Sequence, residues 1–157
     1  MGTYLQDEMS WNKWFLTLSG RYDTLKTDSR SYESIYGKES SSERKDSHFN
    51  SRASLLYAFD SGISPYVSYS QAMTPSALPG SDGTLLKPMQ SEQYEAGIKY
   101  QPVGTSDMYS AALYDLTQDD VGNRVVVGSY YEPAGKIRSQ GLELEAKKQV
   151  TERFNVM

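Results

Sequence analysis

The chain has 157 residues, 38% of them hydrophobic, with 13 tyrosines against 4 phenylalanines and 2 tryptophans, and a net charge of -4. That length suits one domain, but the apolar fraction is low for a packed core of this size. The lack of cysteine excludes disulfides and thiolate metal sites, the mild acidity gives no basic stripe for nucleic acid, and no apolar run approaches the roughly 18 residues of a membrane-spanning helix.

The N-terminal MGTYLQDEMSWNKW has no charged segment followed by an apolar one, so it does not read as a signal peptide. Residues 2–9 predict a short strand, 10–13 a tight turn containing Asn12, and 14–26 a long strand. In that strand Trp14, Leu16, Leu18, Gly20 and Tyr22 alternate with Phe15, Thr17, Ser19, Arg21 and Asp23. A period of two sends these sets to opposite faces. Residues 28–46 are polar, serine-rich and aperiodic, and read as a long exposed loop. Alternation returns over 47–59, where Phe49, Ala53, Leu55, Tyr57 and Phe59 oppose His48, Asn50, Arg52 and Ser54. Residues 60–63 (DSGI) predict a hairpin turn with Gly62 free for positive φ.

Residues 64–73 continue as a strand that tolerates Pro65 at its start. Residues 74–88, rich in Pro and Gly, form a second long loop. The strand 89–101 sets Tyr94, Ala96, Ile98 and Tyr100 against Gln93, Glu95, Gly97 and Lys99. After the turn 102–106 comes strand 107–118, whose phase stays open: Tyr109, Ala111 and Leu113 compete with Met108, Ala112, Tyr114 and Leu116 for the apolar face. A third long loop covers 119–135, with a short local strand at 124–130. Strand 136–149 opposes Leu142, Leu144 and Ala146 to Gly141, Glu143, Glu145 and Lys147, and a turn at 150–153 leads into a further strand from Phe154.

Connections thus alternate short and long, which predicts an all-β, antiparallel up-and-down meander with tight turns at one end and long loops at the other. Outer-membrane β-barrels have this asymmetry. Aromatic residues sit beside the turns: Trp11 and Trp14, Phe59, Tyr100 and Phe154. They fit an interfacial girdle or, equally in kind, the caps of a soluble sheet.

The runs GTYLQDEMSWNKWFLTLSGRYD, FNSRASLLYAFDSGISPYVSYSQAMTP, KPMQSEQYEAGIKYQP, YSAALYDLTQDDV and IRSQGLELEAKKQVTERFNV resemble consecutive strands of TonB-dependent siderophore receptors of the ferric-hydroxamate type. EQYEAGIKY and RSQGLELEA carry the likeness most clearly. The resemblance implies a partial segment of an outer-membrane barrel of about 22 strands around a plug domain. It implies a ferric siderophore as ligand, outer-membrane lipid around the wall, and the TonB complex as energy source, engaged through an N-terminal region that this chain lacks. Residues 1–157 are then expected to be part of the barrel domain, without plug, signal peptide or closing strand.

The remaining chemistry reads against an enzyme. Glu92, Glu95, Glu143 and Glu145 recur at strand spacing with Lys99 and Lys147, as on a solvated wall, and no cleft-forming partners accompany them. His48 is the sole histidine, and GxxxxGK[ST], GxSxG and HExxH are absent, so no cofactor, metal or catalytic residue is predicted. The candidate ligand-binding residues are the loop tyrosines Tyr32, Tyr36, Tyr130 and Tyr131, which fit either an aromatic vestibule or simple loop packing. Arg30, Lys38, Arg44, Lys45, Lys87 and Arg124 lie in the same loops, where they suit an anionic ligand or a solvated surface. A soluble or secreted β-sheet binding or adhesin module is the alternative to a transport receptor.

Overall fold

The computed structural model describes residues 1–33, 38–76, 78–81, 84–125, 130–133, 135–151 and 154–156. Its strands are β1 (Gly2–Trp11), β2 (Trp14–Glu33), β3 (Lys38–Tyr57), β4 (Ile63–Thr74), β5 (Met89–Tyr100), β6 (Met108–Asp119), β7 (Gly122–Val125), β8 (Tyr130–Pro133), β9 (Ile137–Thr151) and β10 (Phe154–Val156). Eight form one sheet in the order β1-β2-β3-β4-β5-β6-β9-β10, and β7 pairs with β8 alone. Each sequential pairing expected from the alternating loop lengths is present and antiparallel.

Local chemistry makes the turns. Asn12 takes a φ of 57° between Trp11 and Trp14, which pair directly. Gly62 has a φ of 84°, and a Cβ there would stand 2.0 Å from the Gln101 carbonyl oxygen. That closeness follows from the Gln101 N–H donating to the Gly62 carbonyl at 3.0 Å, which laces the β3–β4 turn to the segment leaving β5.

The register carries each face across the sheet. One row runs Met9, Leu16, Leu55, Val67, Ala96, Leu113, Leu142. The adjacent row on the other face runs Thr17, Ser54, Ser68, Glu95, Tyr114, Gly141. Leu16, Leu18, Leu55, Tyr57, Tyr94, Ile98, Leu142 and Leu144 therefore share the apolar face, and Arg21, Arg52, Glu95, Lys99, Glu143 and Glu145 the polar one. The phase of β6 is decided too: Tyr109, Ala111 and Leu113 lie on the apolar face, while Ala112, Tyr114 and Leu116 lie on the polar face. Glu92, expected on the solvated face, is in phase with Tyr94 and so lies on the apolar one, as does Asp115 opposite Tyr94. Asp7 departs from the rule as well. It pairs with Leu18 and shares the apolar face with Leu5 and Met9.

Among the described residues nothing covers the apolar face. Val67 is 54% exposed, Leu113 63% and Leu144 74%, and among the described residues Leu85 and Ala112 are the buried hydrophobic side chains. The accessible area is 11698 Å², against roughly 7,900 Å² for a compact monomer of this mass. The sheet is a wall without a core.

Two aromatic belts bound the apolar band. At the turn end Trp14, Tyr57 and Phe59 meet edge to face with centroids 4.7 Å apart, and Tyr100 stacks on Tyr109 at 6.3 Å. Toward the loop end Tyr22 pairs with Phe49, and Tyr69 contacts Tyr94 at 4.9 Å. From Trp14 to Tyr22 the strand climbs about 27 Å at ~3.4 Å per residue, or about 20 Å of height at a tilt of ~40°.

The long connections differ from expectation. Residues 28–33 and 38–46, expected within an irregular loop, instead continue the β2–β3 ladder through Asp28↔Glu43 to Glu33↔Lys38. Both sides of this extension are polar, so backbone pairing and ion pairs such as Lys26–Glu43 at 3.2 Å hold it without hydrophobic alternation. Within 119–135 the expected single strand 124–130 is instead a hairpin that sets Arg124 and Tyr130 on facing strands. The 74–88 segment folds back on itself through a Pro79–Leu85 bridge.

Candidate ligand-binding loops

The loop end gathers three segments: the β2–β3 extension, residues 74–88 and the β7–β8 hairpin. The middle segment closes on itself, with Gly80 N–H donating to Thr84 O at 2.7 Å and Leu86 N–H to Leu78 O at 2.9 Å. These bonds draw Leu85 in to 4% exposure. Tyr131 N–H donates to Pro79 O at 2.9 Å, tying the β7–β8 hairpin to this segment. A Cβ on Gly122 would stand 2.8 Å from Leu78, 3.2 Å from Leu86 and 3.8 Å from Tyr131, so these three side chains close over the glycine. From the other side Arg44 Nη1 donates to Leu85 O at 2.9 Å, while its Nε donates to the Asp46 carboxylate at 2.8 Å and 2.9 Å.

This geometry sorts the four candidate tyrosines. Tyr130 pairs with Val125 and Tyr131 with Arg124, and both rings are half-buried. As successive residues of one strand they point to opposite sides of the hairpin, so they do not form one aromatic surface. Tyr131 faces the side packed on Leu78 and Leu86; Tyr130 faces the other. Tyr32 pairs through its backbone with Glu39 near the tip of the β2–β3 hairpin. Its side chain, and the whole of Tyr36, lie outside the described residues.

The loop cations divide as well. Arg44 is engaged by Asp46 and Leu85, and Lys45 lies 3.5 Å from Glu43. The hydrogen bond to Glu43 raises the Lys26 ammonium above its ordinary value, with Asp28 nearby adding to the effect. Lys87 and Arg124 are exposed. The side chains of Arg30 and Lys38 lie outside the described residues. Sequence reasoning missed Leu78, Leu85 and Leu86, whose signal was a pair of apolar flanks around GSDG, a turn between two segments able to pair.

Below the loops, on the polar face, Tyr66 donates its hydroxyl to Glu95 at 2.6 Å, and Lys99 Nζ sits 5.0 Å from the Tyr66 ring centre. The ring lies over Gly97, where a Cβ would come within 2.7 Å of it, as Tyr114 lies over Gly141 at 2.6 Å. Among the described residues no group of three or more His, Cys, Asp or Glu side chains is placed to hold a metal ion.

Residues 1–156 match the family model described as TonB dependent receptor-like, beta-barrel. The chain is 60% identical over 156 residues to the ferrioxamine receptor of Yersinia enterocolitica, covering 99% of this chain and 21% of that protein. It is 36% identical over 157 residues to the ferrichrome outer membrane transporter/phage receptor of Escherichia coli, covering 99% of this chain and 20% of that protein. In fold it is similar to the alcaligin outer membrane receptor FauA from Bordetella pertussis, with a TM-score of 0.73 at 23% identity over 98% of this chain and 28% of that one. The chain therefore spans about a fifth of the length of the curated relatives it matches.

Proposed function

Because the chain belongs to the TonB-dependent receptor β-barrel family of the Gram-negative outer membrane, we propose that residues 1–157 form part of the barrel wall of a receptor that binds a ferric siderophore and imports it with energy supplied through TonB. The observation that carries this reading is the core-less, two-faced wall with its long connections gathered at one end. A bare apolar face bounded by aromatic belts suits lipid between two headgroup layers. The opposite face, with its carboxylates, serines and Lys99, suits a hydrated lumen. The rest of the barrel, of about 22 strands in all, and the plug that TonB pulls on belong to the remainder of the receptor.

The family consists of receptors and transporters rather than enzymes. In this segment the carboxylates are dispersed along the wall at strand spacing, which supports a non-catalytic role. The likeness to a ferrioxamine receptor makes a ferric hydroxamate the first ligand to test. Such a ligand is bulky and largely apolar outside, and Tyr130 offers a ring with a hydroxyl tip on the side of its hairpin opposite Tyr131. Tyr131 acts instead as a packing anchor; Tyr32, near the last described pair of the β2–β3 ladder, and Tyr36, outside the described residues, are further candidates for ligand contact.

The test uses the full receptor. Ferric ferrioxamine binding is measured on purified protein and radioactive iron uptake on cells with and without TonB. Saturable binding and uptake that disappears without TonB are expected; uptake indifferent to TonB overturns the transport reading. Tyr130→Ala should weaken binding about tenfold, the effect of ~1.4 kcal/mol, with the folded barrel retained on an unheated gel. Unchanged affinity removes Tyr130 from the site, and the same result for Tyr32→Ala and Tyr36→Ala leaves the vestibule without an aromatic contact from this segment.

A further inference from the structure

Arg44 joins three loops that the sequence keeps apart. It and Asp46 are two residues apart on β3 and so share one face, the polar one. The Asp46 side chain is 16% exposed and that of Arg44 29%, so this ion pair is substantially shielded from water. Its guanidinium still has an arm free of Asp46, and that arm holds the Leu85 carbonyl. A planar fork with several donors suits this double duty, which a single ammonium does not reproduce. Leu85 bridges to Pro79, and the Pro79 carbonyl receives the Tyr131 N–H. A continuous chain of contacts therefore leads from the long β2–β3 hairpin, through Arg44, into residues 74–88 and on to the hairpin that carries Tyr130.

We infer that Arg44 is a positioning residue for the binding loops: it anchors residues 74–88 and the β7–β8 hairpin, as one body, to the β2–β3 stem. This assigns Arg44 a role other than attracting an anionic ligand, since its charge is matched by Asp46. The leucines around Gly122 fix the two outer segments to each other, and the Arg44 guanidinium ties them to the stem through the Leu85 carbonyl. Removing it should free the pair together rather than scatter them. Where the inference touches ligand, it rests on the siderophore reading; a pre-placed Tyr130 loses less freedom on binding, so the anchor should appear in affinity.

The experiment places nitroxide pairs on the full receptor and measures distance distributions by pulsed electron resonance, without ligand. One pair, at Ser41 and Ser81, spans the stem and the 74–88 segment; the other, at Ser81 and Glu132, spans the two outer segments. In Arg44→Ala the first distribution should broaden while the second stays narrow, and ferric ferrioxamine affinity should fall roughly tenfold. An unchanged Ser41–Ser81 distribution overturns the anchor. Broadening of both pairs overturns the one-body assignment. The expected distance changes with unaltered ferrioxamine affinity uphold the anchor and count against the siderophore reading of these loops.

Discussion

Val67 and Ser68 are adjacent, so one substitution placed at each asks which face of the wall meets lipid. Val67 is 54% exposed, between Leu55 and Ala96, with Pro65 and Tyr69 as its neighbours on the same face. No carboxylate stands beside it. Leu55 lies two residues inside Tyr57 and Ala96 four inside Tyr100, which puts Val67 about 10 Å along the strand from the turn-end belt at ~3.4 Å per residue. Tyr69 of the loop-end belt lies two residues, about 7 Å, beyond it, so Val67 sits between the two belts. Arginine at the bilayer centre of such a barrel costs about 2–4 kcal/mol, so Val67→Arg should lower the folded-to-unfolded ratio by roughly 30-fold or more, at 1.4 kcal/mol per factor of ten. Ser68 points the other way, between Ser54 and Glu95. Ser68→Arg gains a carboxylate neighbour in hydrated surroundings and should change stability by no more than about 0.5 kcal/mol. The assay is reversible folding of the full receptor into lipid vesicles across a urea series, read from gel mobility before and after heating. Equal losses for the two variants, or a larger loss for Ser68→Arg, refute the assignment of faces.

Two glycines make further tests. Gly62→Ala combines an unfavourable φ of 84° with a Cβ 2.0 Å from the Gln101 carbonyl; it should cost at least the ~1–3 kcal/mol of a strained residue, seen as a lower urea midpoint. Gly97→Ala would bring a Cβ within 2.7 Å of both the Ala111 carbonyl and the Tyr66 ring; overpacking of about 1–3 kcal/mol is expected, and the same substitution made with Tyr66→Ala should cost less. A Gly97 variant as stable as the parent shows that the ring does not lie there.

The alternation in Met89–Tyr100 and in residues 141–147 made the strands legible because each has one apolar and one polar side. The phase of β6 was not legible, because Ala112, Tyr114 and Leu116 are apolar residues on the polar face. Their reason lies across the sheet: Tyr114 covers Gly141, and Ala112 sits against Gly97, contacts that only the register reveals. Residues 28–46 hid a ladder because both of its sides are polar, which erases the period on which strand reading depends. Tyr32 stands in the β2–β3 ladder rather than in an irregular loop, and the directions of Tyr130 and Tyr131 were not readable. Tyr130 and Tyr131 diverge only because residues 130–133 pair as a strand with 122–125. Arg44 looked like any loop cation until Leu85 appeared beside it.

Asp7 carries a consequence for how the wall is assembled. If this face meets lipid, as proposed, a carboxylate among Leu5, Met9 and Leu18 is costly unless a donor reaches it, since ionisable side chains within a membrane are usually paired. β2 offers it only Leu18 directly across, so in the proposed barrel the donor would come from a strand paired with the other edge of β1. An arginine, lysine, tyrosine or serine at that level would make the junction a key. Slipping β1 by one residue turns Asp7 to the other face and strands the donor, and slipping the partner strand does the converse. Ladder bonds between strands are indifferent to such a slip; this pair is not, and it would allow the folding machinery only one alignment at that seam.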